Sequence, residues 1–185
     1  MGLNSSLNLI TSWPDKDLQI VRGHSPELVA QLVEKSLQPH IQQSTPQDAA
    51  RRFTSAETFA NWNKPETALY MLLGKSATDL AGIVWHRPAP APLPEIAANH
   101  TFAIRLYKDY LGQGLARPLM RACLKDYLNL PQAENFEGVW LQTDESNEPA
   151  LKSYQKSGYE LVAHDSGRLT MVLSPERAAR FIQGD

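Results

Sequence analysis

The spacing of apolar residues changes near residue 68, and the change separates predicted helices from predicted strands. The first helix follows from apolar residues that recur every three or four positions: Leu28, Val29, Leu32, Val33 and Leu37. Ser25 and Pro26 precede them and are typical of a helix start, with the serine hydroxyl as the cap. A second helical stretch is predicted over about 46–61. Beyond residue 68, short continuous apolar runs predict buried strands instead.

Strands are predicted at about 18–21, 68–73, 80–85, 100–107, 139–143, 159–164 and 168–173. Two further helices, over about 115–128 and 147–156, lie between the later strands. Proline at every second position from 88 to 94 predicts a stiff extended loop, because proline has no amide donor for a central strand. The chain is therefore predicted to be an α/β domain over 18–185, with a mixed, mostly antiparallel sheet of six to seven strands flanked by about four helices. Residues 1–17 are predicted to form an N-terminal arm or an extra strand.

Composition narrows the class of protein. The chain has 185 residues, of which 42% are hydrophobic and 21% charged, which is typical of one globular domain. A formal net charge of −2 gives no reason to expect a nucleic-acid partner. A single cysteine excludes an internal disulfide and a multi-cysteine zinc site, and we expect no metal. No apolar run approaches the roughly 18 residues that span a bilayer, and the start lacks the features of a signal peptide. We expect a cytoplasmic protein with no membrane partner.

One candidate site is the segment Leu-Gly-Gln-Gly-Leu-Ala at 111–116, between a predicted strand and a predicted helix. Gly112 and Gly114 allow several backbone amides to point into one concavity, and the helix that follows adds its first-turn amides and its dipole. Such a concavity binds a phosphate or pyrophosphate. No Lys-Ser/Thr pair follows Gly114, so the segment is not a Walker loop. A glycine pair before a helix also fits a simple turn, and both interpretations stay open at this point.

A second candidate site is the helix that starts at Asn147. Ala150 and Tyr154 lie one turn apart on one face of this helix, so the small residue leaves room beside the phenol. Gly158 ends the helix, and Asn147 can cap it while presenting its amide outward. The alternative interpretation is an amphipathic helix with a core tyrosine.

Taken together and in this order, the two segments resemble the acetyl-CoA-binding core of the GNAT superfamily of N-acetyltransferases. The resemblance covers about residues 68–173. The loop pattern of that superfamily is Gln/Arg-x-x-Gly-x-Gly/Ala; Gly114 and Ala116 match it, whereas Leu111 stands where Gln or Arg is expected. The resemblance implies that the pyrophosphate of coenzyme A is held by backbone amides of Gly112, Gln113, Gly114, Leu115, Ala116 and Arg117. It also implies that Ile104 and Leu106 pair with the pantetheine arm along a strand that splays from its neighbour, and that Asn147 contacts the arm from the other side.

The resemblance also implies roles in catalysis. An amine attacks the thioester, the backbone N–H near Leu106 stabilises the oxyanion, and Tyr154 protonates the leaving thiolate as a general acid. The strand before the loop lacks the glutamate that many members use as a base. Counting back from the loop brings that position close to His100, which becomes the candidate base. Glu95, at the end of the proline-rich segment, is a lesser candidate.

The function implied is transfer of an acetyl group from acetyl-CoA, as co-substrate, to a primary amine by direct attack in a ternary complex. The acceptor could be a small molecule, a peptide or a protein. Leu111 and the absent glutamate favour an alternative, a non-catalytic acyl-CoA-binding module of the same fold. The terminal strands offer an edge for pairing, so a homodimer is possible.

Overall fold

A computed structural model describes residues 7–74 and 77–184 of the chain. Over these residues the chain forms a mixed sheet of eight strands and six α-helices, an α/β fold. The contacts divide it into two compact units. The first unit consists of Met1–Trp85 and Ile104–Leu115, and the second of His86–Ala103 and Ala116–Asp185. Each unit is described separately below.

The first unit contains strands β1 (Asn8–Trp13), β2 (Leu18–Arg22), β3 (Ala68–Gly74) and most of β4 (Asp79–Pro88). β1 pairs antiparallel with β2, and β2 pairs antiparallel with β3. Part of the predicted arm or extra strand, residues 8–13, is thus a strand, while residues 1–6 of that prediction lie outside the described residues. This strand brings the total to eight, above the six to seven predicted.

The helices of the first unit are α1 (Pro26–Ser36), α2 (Pro39–Ser44) and α3 (Ala56–Trp62). α1 begins as predicted, because Ser25 Oγ accepts a hydrogen bond from the Leu28 amide at 3.3 Å. The single helix predicted over 46–61 is wrong: a π-helical turn occupies Asp48–Arg52, and α3 starts afresh. The reason is a reciprocal cap in which Ser55 Oγ accepts from the Thr58 amide and Thr58 Oγ1 accepts from the Ser55 amide.

The second unit contains the first part of β5 (His100–Leu106), with β6 (Val139–Asp144), β7 (Glu160–Asp165) and β8 (Arg168–Leu173). β5 pairs parallel with β6 at two positions, His100 with Val139 and Thr101 with Trp140. β6 and β7 both pair antiparallel with β8. The sheet is therefore mixed, as predicted.

The helices of the second unit are α4 (Ala116–Tyr127), α5 (Glu148–Lys156) and α6 (Pro175–Gln183). Two helices that were not predicted raise the count from the expected four to six: α2 in the first unit and, in the second, α6. Its signal is visible in the chain: Ser174-Pro175-Glu176 repeats the start of α1, and Ser174 Oγ accepts from the Arg177 amide at 3.4 Å.

The proline-rich segment continues from β4 as a hydrogen-bonded extended ribbon. The Ala89 amide donates to the Asn99 carbonyl at 2.9 Å, and the Ala91 amide donates to the Ala98 carbonyl at 3.2 Å. Successive residues of an extended chain point their amides to opposite sides. The alternation of alanine and proline thus places the amides of Ala89 and Ala91 on the same side, where both find acceptors.

Each unit has its own apolar core. Fully buried residues of the first unit include Ile20, Leu32, Phe53, Phe59, Tyr70 and Leu72, and those of the second include Leu119, Cys123, Tyr127, Val139 and Leu173.

Burial raises the pKa of the Cys123 thiol well above its ordinary range, which keeps the thiol protonated and inert. Across residues 7–74 and 77–184, no helix is long and apolar enough to cross a bilayer.

Candidate active site

The predicted phosphate-binding segment follows β5 and a short 3-10 turn, Lys108–Tyr110. Gly112 and Gly114 have φ angles of +73° and +70°, the left-handed region that disfavours side chains. A Cβ built at either position meets no heavy atom within 4 Å. Both glycines are exposed, and α4 begins two residues after Gly114. The segment therefore has the backbone geometry that requires glycine and open space beside it.

A contact between Tyr110 and Asp79, which no local pattern predicts, anchors the start of this segment. The Tyr110 hydroxyl donates to Asp79 Oδ2 at 2.8 Å, and Lys35 pairs with the other oxygen of the same carboxylate at 3.0 Å. A Cβ at Gly74 would overlap the Tyr110 ring, so glycine is required there by close approach. Gln113 Nε2 adds a bond to the Asp109 carbonyl at 2.8 Å. These contacts hold the 3-10 turn from which the glycines emerge.

The end of β5 is hydrogen-bonded on both edges. The Tyr107 amide donates to the Ala81 carbonyl at 3.0 Å, toward β4. Adjacent residues of a strand present their backbone groups to opposite edges, so the N–H and C=O of Leu106 face away from β4. On that edge, His40 Nε2 lies 3.1 Å from the Leu106 carbonyl oxygen. Gln38, two residues before His40, accepts a hydrogen bond through Oε1 from the Lys108 amide at 3.1 Å.

Asp48 in the π-helical turn is a buried carboxylate paired with two arginines, of which Arg105 is largely buried and Arg52 is partly exposed. Arg105 Nε donates to Asp48 Oδ2 at 2.7 Å, and Arg52 Nη1 donates to Asp48 Oδ1 at 3.0 Å. Arg105 also donates to the carbonyl of Ile104, its neighbour, at 2.8 Å. Because the Asp48 side chain is only 1% exposed, its charge is balanced by these arginines rather than by water. This cluster fixes β5 beside Ile104, one of the predicted pantetheine-pairing residues.

The predicted general acid lies in the second unit, on α5. Asn147 caps this helix as expected, with Oδ1 accepting from the Ala150 amide at 3.4 Å. Tyr154 is nearly buried, and its ring packs edge-on against Phe102 with centroids 5.9 Å apart. The Tyr159 ring lies at the same distance from Tyr154 and 5.5 Å from Phe102, so the three rings form one cluster. Burial raises the pKa of Tyr159 well above its ordinary range. The phenol of Tyr154 therefore occupies a mainly aromatic environment.

Arg117 lies in the first turn of α4, also in the second unit. Its Nε donates to the Lys156 carbonyl at 3.1 Å, and its guanidinium lies 5.7 Å from the centre of the Phe181 ring. A cation over an aromatic face is attracted by the ring quadrupole. The Arg117 side chain thus ties α4 to α5 and α6, while a role in cofactor binding was predicted only for its backbone amide.

His100, the predicted base, is 2% exposed, and both of its ring nitrogens lie beside oxygens that only accept hydrogen bonds. Nδ1 is 2.6 Å from Asn99 Oδ1, and Nε2 is 3.1 Å from the Gln132 carbonyl. The Asn99 amide is oriented by its own bonds, since Nδ2 donates to Asn135 and Oδ1 accepts from Glu137. Burial lowers the pKa of His100. These contacts favour a structural role, because a base must direct a nitrogen lone pair at its substrate.

The predicted site residues are divided between the two units. The first holds Ile104, Leu106, Gly112, Gln113, Gly114 and Leu115, and the second holds His100, Ala116, Arg117, Asn147 and Tyr154. In the first unit the structure adds His40 beside Leu106 and Asp48 beside Arg105. Neither contact has a local sequence signal. Within the described ranges, no group of three or more His, Cys, Asp or Glu side chains could hold a metal ion.

Comparison with known proteins identifies the family. The model of the acetyltransferase (GNAT) family matches residues 35–159. The chain belongs to this family of acetyltransferases, which confirms the resemblance predicted from the glycine loop and the Asn147 helix and, at the level of the family, the expectation of an N-acetyltransferase.

Individual relatives are distant. Over 106 residues the chain is 27% identical to the mycothiol acetyltransferase of Corynebacterium aurimucosum, covering 55% of this chain but only 33% of that protein. The chain thus spans about a third of the length of that relative. A spermidine N-acetyltransferase from Vibrio cholerae, solved with CoA and spermine, is 15% identical with a TM-score of 0.68 over 88% of this chain and 98% of its own. An aminoglycoside N(6')-acetyltransferase from Legionella pneumophila is 17% identical with a TM-score of 0.65 over 89% and 95%. These two structures show that the fold is shared.

Proposed function

We propose that the protein transfers an acetyl group from acetyl-CoA to a primary amine by direct attack in a ternary complex. The observation that carries this proposal is the glycine loop. Gly112 and Gly114 adopt left-handed backbone angles beside open space, and α4 starts immediately afterwards. The amides of Gly112, Gln113, Gly114, Leu115, Ala116 and Arg117 bind the pyrophosphate of coenzyme A in this proposal.

Leu111 stands where the superfamily pattern has Gln or Arg, and it is exposed. Backbone amides hold the pyrophosphate in our proposal, so this departure affects affinity more than the identity of the site. Leu106 and Ile104 supply backbone groups to the pantetheine arm. The bonding at the end of β5 supports this role, because the Tyr107 amide donates toward β4 and the backbone groups of Leu106 therefore face the opposite edge.

The proposed chemistry needs three groups. The Leu106 N–H donates to the oxyanion that forms when the amine attacks the thioester carbonyl. Tyr154 protonates the thiolate as the carbon–sulfur bond breaks, and Asn147 contacts the arm. The phenolate then takes the surplus proton from the new amide nitrogen. Tyr154 thereby regains the proton that it gave to the thiolate, and each turnover restores the phenol.

The acceptor belongs to the proposal as a class: a primary amine of a small molecule, a peptide or a protein. Two of the structural relatives are named for small polyamine and aminoglycoside acceptors, which favours a small molecule as the first choice to test.

The alternative function is a non-catalytic acyl-CoA-binding module, favoured by Leu111 and by the lack of a glutamate in β5. Neither a dimer nor a cytoplasmic location has a structural argument here, and both stay predictions.

The test is release of the free thiol of CoA from acetyl-CoA, followed with a thiol reagent in the presence of spermine or kanamycin. Amine-dependent thiol release supports the enzyme. Binding of acetyl-CoA without release, over a broad panel of primary amines, supports the module instead.

A further inference from the structure

We infer that His40 is the general base of the proposed acetyl transfer, an inference that rests on the function proposed above. The starting observation is a single contact: His40 Nε2 lies 3.1 Å from the Leu106 carbonyl oxygen. Leu106 is the residue whose N–H is proposed to hold the oxyanion. The N–H and C=O of a strand residue point to the same edge. The imidazole therefore contacts the carbonyl of Leu106 on the edge to which the N–H of the same residue points.

The segment around His40 holds the ring in place. Pro39 opens α2 and fixes its first turn, and the Ser44 hydroxyl donates to the His40 carbonyl at 2.7 Å. Gln38, at the cap position of the same helix, is bound to the Lys108 amide. The side chains of Gln38 and His40 therefore both contact the backbone at the end of β5. This arrangement fixes the imidazole relative to Leu106.

The contact also fixes the tautomer. A carbonyl oxygen can only accept, so Nε2 carries the hydrogen and donates to Leu106. In a neutral imidazole the lone pair then resides on Nδ1. His40 is partly exposed, and Nδ1 has no hydrogen-bond partner among the residues that the structure describes. His100 differs on each point, since it is buried and both of its nitrogens lie beside acceptors.

Nδ1 of His40 lies on the side of the ring away from the Leu106 carbonyl, so it takes one proton from the acceptor ammonium through a bridging water. This leaves a neutral amine and an imidazolium that later releases its proton to water. The amine nitrogen bonds to the thioester carbon, and the carbonyl electron pair moves to the oxygen beside the Leu106 N–H. The carbon–sulfur bond then breaks, and Tyr154 exchanges the remaining protons as proposed above.

The discriminating variant is His40→Gln, because the glutamine amide can still donate to Leu106 but cannot accept a proton from an ammonium. We compare two acceptors, spermine, whose amines are protonated near neutral pH, and hydroxylamine, which is neutral there. The variant should bind acetyl-CoA within about twofold of the native protein and lose about 100-fold or more in kcat with spermine. With hydroxylamine it should lose little. His164→Gln, an exposed histidine in the second unit, is the matched control and should change neither rate.

Equal losses with both amines, or no loss with spermine, would overturn the assignment of His40 as the base. If acetyl-CoA does not bind to the native protein, the proposed function fails instead, and calorimetry reports that outcome separately. If neither amine is acetylated although acetyl-CoA binds, ring nitrogen NMR decides. The His40 signals, identified by their loss in His40→Gln, should show the Nε2–H tautomer and shift when acetyl-CoA binds. The opposite tautomer, or signals that do not move, would contradict the inference.

Discussion

Arg105 on β5 and Asp48 in the π-helical turn form an ion pair that is closed to solvent, with Arg105 Nε 2.7 Å from Asp48 Oδ2 and exposed fractions of 9% and 1%. The pair joins the segment between α2 and α3 to the strand that carries Ile104 and Leu106. A π-turn leaves a local irregularity in a helical segment, and such turns often occur at functional sites. Here the turn supplies the carboxylate that neutralises an arginine inside the first unit.

Removing this carboxylate should be costly. Asp48→Ala leaves the buried Arg105 guanidinium without its counter-charge, and we expect a loss of about 3–5 kcal/mol in the free energy of unfolding. Urea denaturation measures it. Glu148→Gln is the control, because its ion pair with Lys152 is highly exposed and should contribute no more than about 0.5 kcal/mol. Equal losses in the free energy of unfolding for the two substitutions would show that the Asp48 cluster stabilises the protein no more than an exposed ion pair does.

Gly112 and Gly114 should tolerate a methyl group in the free protein better than in the complex. Gly114→Ala meets no protein atom, so its cost to stability is only the left-handed backbone, about 1–2 kcal/mol. The same methyl group would occupy space that we assign to the pyrophosphate, and we expect at least a tenfold loss of CoA affinity, about 1.4 kcal/mol. Gly167→Ala, at φ +78° in the turn between β7 and β8, is the matched control. It should lose similar stability and keep its affinity for CoA.

Tyr154→Phe tests the general acid. The substitution removes one hydroxyl and keeps the edge-on contact with Phe102, so the affinity for acetyl-CoA should stay within about twofold. The rate of acetyl transfer should fall by about 100-fold or more, as general acid catalysis requires. Tyr159→Phe removes a neighbouring buried hydroxyl and should leave the rate unchanged. A Tyr154→Phe protein with the native rate would remove this tyrosine from the mechanism.

His86 should make the protein sensitive to acid. It is stacked between Phe102 and Tyr127, with centroids at 5.4 and 4.9 Å, and burial lowers its pKa to about 3. The unfolded chain therefore binds a proton in a range where the folded chain does not, so stability is complete above about pH 6.5 and falls as the pH drops toward 3.

His86→Phe keeps the stack and removes the titrating group. Between about pH 7 and pH 4, the variant should lose on the order of 3 kcal/mol less stability than the native protein. Urea midpoints at the two pH values measure this difference, with His164→Gln as an exposed control. Parallel losses in native protein and His86→Phe would mean that other groups account for the acid sensitivity.

Local signals made most of the fold predictable. Ser25 before Pro26 marked α1, and apolar runs marked the strands from β3 onward. α6 carries the same Ser-Pro-Glu start and could have been predicted from it. The break before α3 depends on Ser55 and Thr58 capping each other, which competes with helix continuation through a region of adequate helix formers.

The candidate site was predictable only in part, for a physical reason. The glycine loop and the Asn147 helix are contiguous segments whose chemistry can be inferred from neighbouring residues. His40 meets Leu106 across 66 positions, Asp48 meets Arg105 across 57, and Tyr110 meets Asp79 across 31. Such pairs depend on the tertiary fold, and a lone histidine or aspartate in a helical segment gives no indication of its distant partner.

Calorimetric titration of the native protein with acetyl-CoA, with desulfo-CoA and ATP titrated in parallel, tests the coenzyme A site most directly. We predict micromolar binding of both CoA species, no comparable binding of ATP, and a weaker CoA isotherm for Gly114→Ala. No binding of acetyl-CoA at millimolar concentration would contradict the central claim that this glycine loop is a coenzyme A site.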